Sequence, residues 1–180
     1  RQQAEKDSAS SIQIAYMTEP EWNATETAGF VKSEGNAYVW RNPGLKSFDD
    51  ILATMHSRGR SKIRRERRKV AAEGLTYRTY RGDSLSAELT APFFEMYTAT
   101  YSYNKTELWH NPAYFEQIFT TMPDVQDLTF AYRGDVPVAM QLSILSEDTI
   151  YAQHWGHSGY IRFLHFELGI YQTVEAAIRD

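Results

Sequence analysis

The fold turns on His154–Asp180, which reads HWGHSGYIRFLHFELGIYQTVEAAIRD. From Leu164 onward, Leu164, Leu168, Tyr171, Val174 and Ile178 recur at helical spacing, which predicts an amphipathic helix. At about 100° per residue the apolar arc runs from Phe166 through Ile170, Val174, Ile178 and Tyr171 to Leu168. Glu167 falls in the middle of that arc. A carboxylate centred on a buried helix face is costly unless it is paired or hydrogen-bonded. It therefore reads either as a general base with a raised pKa or as a structural carboxylate bonded to Tyr, Trp or backbone N–H groups. Just upstream, Thr149–Trp155 alternates as a strand, so one face of it, at His154, lines whatever covers that sheet. Trp155 lies beside it, and Gly156 frees the backbone where a ligand approaches.

Working back along the chain, three short strands are predicted at Leu128–Tyr132, Val136–Leu145 and Thr149–Trp155. The connections Arg133-Gly134-Asp135 and Ser146-Glu147-Asp148 make them an antiparallel meander. Before them come a strand at Leu75–Tyr80, a helix at Ser86–Tyr101 with Phe93 and Met96 on one side, and a helix opened by Asn111-Pro112 that turns Phe115, Phe119 and Met122 inward. The order β-α-α-β-β-β-α is an α+β pattern. Nearer the start, strands are expected at Ser11–Met17 and Ala37–Trp40. Between them a helix is capped by Thr18 and Glu21 and stopped by Gly29. Ser47 caps a further helix that Gly59 interrupts, and a basic helix runs from Ser61 to Glu73, ending at Gly74.

Charge is concentrated in that basic helix. Arg58–Lys69 holds eight basic residues against one acid, Glu66; it carries +7 in a chain of net charge −4, which leaves −11 for the remainder. Ile63 and Val70 form a narrow apolar stripe, while Lys62, Arg64, Arg65, Arg68 and Lys69 spread over the other side. Arg forks suit phosphate oxygens, so the surface reads as a phosphate-binding face; the alternative is a solvated face paired with the acidic remainder.

Other classes are narrowed by composition. No apolar run approaches the roughly 18 to 20 residues of a membrane span. With no Cys among 180 residues, thiol catalysis and disulfides are excluded. His154, His157 and His165 invite a metal reading, but their spacing fits no standard ligand pattern, and His165 points about 160° away from Glu167 on a helix. No metal is expected.

HWG followed by FLHFELGIYQTVEAAI resembles the C-terminal signature of the FemAB-like N-acyltransferases, a group tied to peptidoglycan biosynthesis or recognition. SSIQIAYMTEPE, VWRNPGLKSFDDILATMHSRGRSKIRRERRKVAAEGL and FFEMYTATY agree as well, so the resemblance covers nearly the whole chain. Gly169-Ile170 stands where the family usually has Cys-Tyr. Lys105–Tyr114 replaces a Lys-Trp-Gly-x-Pro-Tyr-Leu segment, which bears on acceptor specificity.

The resemblance implies a GNAT-like mixed sheet flanked by helices, part of a tandem Fem-type arrangement incomplete at both ends. Residues 1–45 would be the tail of a first unit, 46–74 connecting helices, and 75–180 the first part of a second unit. The implied function is N-acyl transfer, moving an acyl or aminoacyl group from acyl-CoA or aminoacyl-tRNA to an amine such as that of a cell-wall precursor. These donors are co-substrates, and no cofactor is permanently bound. Glu167 and His154 would face the transfer cleft. Lys62, Arg64, Arg65 and Arg68, with Trp155, Gly156, His165 and Tyr171, would bind substrate or phosphate. A cytoplasmic location is expected. The alternative is a non-catalytic module whose basic helix binds RNA, including tRNA, or another anionic ligand. The strand at 149–155 is aromatic and lacks Lys or Pro, so a continuation of the chain or a partner is expected to cover it.

Overall fold

The computed structural model describes residues 6, 11–12, 14, 17–33 and 38–179. The backbone divides into two units, Arg1–Arg41 and Asn42–Asp180.

In the first unit helix α1 (Glu19–Thr27) carries Pro20 in its first turn. The Glu21 carboxylate accepts from the Thr18 N–H at 2.8 Å, and Gly29 ends the helix at a φ of 86°. The expected strand at Ser11–Met17 does not form at residues 11, 12, 14 and 17; its other positions lie outside the described residues. Tyr38–Trp40 is likewise irregular, and Ala37 lies outside the described residues.

The second unit opens on the turn at Asn42, whose side chain accepts from the Gly44 and Leu45 N–H groups at 3.0 and 2.8 Å. Helix α2 (Phe48–Thr54) is capped by the Ser47 hydroxyl, which accepts from the Asp50 N–H. Helix α3 (Ser57–Ala71) begins earlier than its sequence suggests. The break falls at Met55 and His56, both extended, and Gly59 lies inside the first turn, where its N–H donates to His56 Nδ1 at 3.1 Å. Thus Gly59 does not interrupt the helix: the His56 ring caps it.

Four strands follow, β1 (Thr76–Tyr80), β2 (Gln126–Arg133), β3 (Val136–Leu145) and β4 (Ile150–His157), with helices α4 (Thr90–Asn104) and α5 (Pro112–Thr121) between β1 and β2. Each strand pairs antiparallel with the next, in the order β1-β2-β3-β4. Among the described residues the sheet is therefore antiparallel throughout rather than mixed. β4 is an edge strand whose residues 151–153 are exposed. The last element, α6 (164–179), is α-helical at both ends but takes π geometry over Glu167–Gln172.

Strand alternation sends side chains to two faces. One face carries Leu128, Phe130, Met140 and Leu142 and packs on Phe93, Met96 and Tyr97 of α4 and Phe115 and Phe119 of α5. Met122 was expected to join them, but it lies past the end of α5 and is half exposed. The opposite face is small, Ala131 and Ala139, and receives Val70 of α3 with Leu164 and Leu168 of α6. Small residues there let the two helices come close to the sheet. That face is where charge is buried.

Candidate functional site

On α3, positions 63, 66, 67 and 70 share one side at i, i+3, i+4, i+7 spacing. The inward stripe of Ile63 and Val70 therefore also carries Glu66 and Arg67. Val70 and Glu66 are both 2% exposed. From α6, Glu167 and Tyr171 meet them. The Arg67 guanidinium grips Glu167 with a two-pronged bond, Nε to Oε2 at 3.1 Å and Nη2 to Oε1 at 3.0 Å. Its Nη1 donates to Glu175 Oε1 at 2.6 Å, and Nη2 to Glu175 Oε2 at 3.2 Å. The Tyr171 hydroxyl donates to Glu66 at 2.7 Å, while the Lys62 ammonium stands 3.9 Å from the same carboxylate. Phe48 of α2 lies under the guanidinium, its ring centroid 4.8 Å from Arg67 Cζ and 5.7 Å from the Tyr171 ring.

Electrostatics keeps the charge of the central guanidinium and the protons of the phenols around it. Burial works against the Arg67 charge, but the bonds and charges of Glu175 and Glu167 outweigh it and hold the guanidinium's pKa above its ordinary range. Burial pushes the Tyr171 phenol up, and the hydrogen bond and charge of Glu66 push it further. Tyr77, beside the network, is pushed up to about 12 by burial and then by Glu167. The bidentate fork occupies both oxygens of Glu167. It is not a carboxylate stranded in an apolar pocket: the arc that seemed to surround it is narrower, since Phe166 and Ile170 are 41% and 43% exposed.

Next to this network lies a cleft of about 490 Å³ between α2 and α3, walled by Phe48 and Leu52, rimmed by Arg64 and Arg68, and floored by Arg67 and Glu175. Arg64 reaches Asp49 at 3.5 Å, an exposed and weak pair. Arg65 and Arg68 are exposed and make no ion pair among the described residues. Arg64 and Arg68 thus point where an anion can meet them, and Arg65 lies outside the cleft lining.

His154 is elsewhere. It sits on the aromatic face of the sheet, edge-on to Tyr97 (5.3 Å), Phe115 (5.6 Å) and His110 (6.0 Å). Burial, with the neighbouring His110, lowers its pKa to about 4, so the imidazole is neutral at pH 7. Glu167 and His154 therefore lie on opposite faces and do not share a cleft, contrary to the sequence expectation. Alternation along one strand is the reason: His154 follows the α4 face, and Trp155 the α6 face. Gly156 does not hold space for a ligand either. A Cβ there would lie 2.6 Å from Met140 Cε and 2.7 Å from the backbone of Met96, so the missing side chain is replaced by α4 itself.

Trp155 and His165 are brought together, their rings 5.1 Å apart, in a separate cavity of about 440 Å³ at the β4 edge. Tyr171 belongs to the buried network and not to an open site. Arg67 and Glu175, which no motif singles out, are central to the network. Arg67 was discoverable from its spacing to Ile63 and Val70. Glu175 carried no such signal.

The whole chain, residues 1–180, matches the family model for FemAB-like proteins, described as peptidoglycan biosynthesis/recognition. No curated protein matches the sequence.

Proposed function

The chain belongs to the FemAB-like family, and from that premise we propose that it transfers an acyl or aminoacyl group to the amine of a cell-wall precursor. The observation that carries this reading is the cleft beside α3, where Arg64, held only by the exposed Asp49 at 3.5 Å, and Arg68, without an ion pair among the described residues, stand above an apolar wall. Two guanidinium forks over such a wall suit the phosphate oxygens of a nucleotide-linked or tRNA-linked substrate. In the reaction the amine nitrogen forms a bond to the carbonyl carbon of a thioester or ester. The C–S or C–O bond breaks, and the thiol or ribose hydroxyl leaves with the proton. Acyl-CoA and aminoacyl-tRNA both fit as co-substrate donors, and the reaction would run in the cytoplasm, where both are found. Among the described residues no helix is long and apolar enough to cross a membrane.

Because the Arg67 fork occupies Glu167, its part in this reading is to fix α6 against α3 rather than to take the amine proton. Catalysis then rests on positioning an amine that arrives unprotonated. That same observation favours a second reading, in which the module recognises an anionic cell-wall precursor without acting on it.

One experiment separates the two. Transfer from labelled acyl-CoA and aminoacyl-tRNA to amine acceptors is measured beside the binding of a nucleotide-sugar precursor, for the native chain and for Arg64→Ala/Arg68→Ala. Transfer that falls at least tenfold in an equally stable variant supports the transferase. Absent transfer, with binding that weakens in the variant and with rising salt, supports recognition. Binding indifferent to both salt and variant removes the cleft from either reading.

A further inference from the structure

The cavity at the β4 edge has a chemistry of its own. It opens between the C-terminal end of α4 and the loop that joins β4 to α6. Its walls are the rings of Tyr103, Trp155, Tyr160 and Phe166. Tyr103 and Tyr160 are 82% and 83% exposed. Between the rings stand hydrogen-bonding groups, the Asn104 amide and the imidazoles of His157 and His165. Burial, and then the proximity of His157, lower the pKa of His165 and keep it uncharged at pH 7. His157 Nδ1 is buried and has no hydrogen-bond partner among the described residues. Among the described residues no Asp, Glu, Lys or Arg lines the cavity, and the nearest cations, Arg162 and Lys69, stand 4.7 and 5.9 Å from the ring of Phe163.

The backbone supports the same place. Phe163, in the lining, adopts a φ of 70°, a left-handed conformation that a bulky side chain rarely takes. Such strain persists where surrounding structure or function holds it. A concave, largely apolar site of this volume, with a few convergent polar groups, has the form of a small-molecule site.

We propose that this cavity binds the pyranose ring of a neutral acetamido sugar. With no charged side chain among the described lining residues, the cavity favours an uncharged group over a phosphate or carboxylate. The adjoining ring pairs are tilted, 56° for Trp155 and His165 and 46° for His165 and Phe166, so neither pair presents parallel faces. Tilted faces on several sides suit a puckered ring whose C–H groups lie on the aromatics and whose rim hydroxyls and amide meet Asn104, His157 and His165. Choosing an acetamido sugar over other neutral sugars rests on the cell-wall-precursor reading; the neutral aromatic chemistry does not.

The test follows the His and Trp side-chain NMR signals during titration with N-acetylglucosamine, glucosamine and uridine at pH 7.5, on the full chain. A dissociation constant on the order of 1 mM is expected for one sugar ring in an open site. N-acetylglucosamine should shift the His157 and His165 signals saturably, with glucosamine and uridine at least fivefold weaker. Tyr160→Ala, at an exposed position, should weaken the sugar at least fivefold without changing Tm. Arg64→Ala/Arg68→Ala should leave it unchanged, which separates this site from the cleft beside α3. No saturable shift, equal binding of uridine, or full binding by Tyr160→Ala would each overturn the proposal.

Discussion

The two faces of the sheet are held to their helices by opposite means. Against α4 and α5 the sheet buries hydrocarbon: Phe93, Phe115, Phe119 and Phe130 are wholly inaccessible. Against α3 and α6 it buries small residues and then ions, with Glu66 and Glu167 nearly sealed. The aromatic face gains from burial without direction, and each ring tolerates modest shifts. The ionic face gains little over a hydrocarbon replacement but tolerates no missing member, because one lost charge strands its partner. Cohesion on one face is spread over many contacts; on the other it passes through Arg67.

The contrast is broken most directly at Arg67. Arg67→Met should cost about 3–5 kcal/mol, since Glu167 stays buried without a cation. Arg67→Met/Glu167→Leu should recover most of that loss. Urea unfolding of the two variants measures both values. A single variant that loses less than about 1 kcal/mol would show the network to be solvated and the two faces alike.

The aromatic face has its own titratable member. His154 has a folded pKa of about 4 against 6.5 in an open chain, so the unfolded state binds more protons between those values. Its neutral form contributes stability that is complete above pH 6.5 and is lost as pH falls toward 4. The loss amounts to about 2–3 kcal/mol. His110 and His165 are lowered in the same direction, so the informative quantity is the difference between the native chain and His154→Phe. The variant should lose less stability between pH 7 and 4; parallel acid limbs in the two proteins would remove His154 from the account.

A finer probe of the ionic face is Tyr171→Phe, which deletes only the hydroxyl that donates to Glu66. Glu66 is then left with Lys62 at 3.9 Å. A loss of about 1.5 kcal/mol is expected for a bond to a charged acceptor. A negligible change in chemical denaturation would mean that water replaces the hydroxyl.

These differences also explain what the sequence reveals. The spacing of Phe93 with Met96 and of Phe115 with Phe119 places α4 and α5 directly, because apolar periodicity and burial coincide there. On α3 the same periodicity runs through Glu66 and Arg67, which look solvent-facing until a partner element is known. The partner is supplied by α6, where the π segment keeps Glu167, Tyr171 and Glu175 turned toward α3. No residue pattern announces that wide turn. Gly169 within it packs so close to Gln141 that a Cβ would lie 3.1 Å from the amide oxygen, a contact visible only once the sheet is in place. The candidate residues were legible as residue types but not as a site. They fall into the buried network, the cleft beside α3, the aromatic face and the cavity at the β4 edge.

The bare α-carbon at Gly156 has a mechanical consequence. With no side chain there, β4 runs so close to the α4 backbone at Met96, and to the Met140 side chain of β3, that a Cβ would lie 2.7 and 2.6 Å from them. Main-chain contact of this kind has no rotamers to absorb motion, so strand and helix travel as one body. Thr100 and Tyr103 on that helix, and Trp155 and His157 on that strand, are two walls of the same cavity. Their separation is consequently set during folding and not during encounter. A guest entering there finds the walls already spaced, and little of its binding energy goes to gathering them.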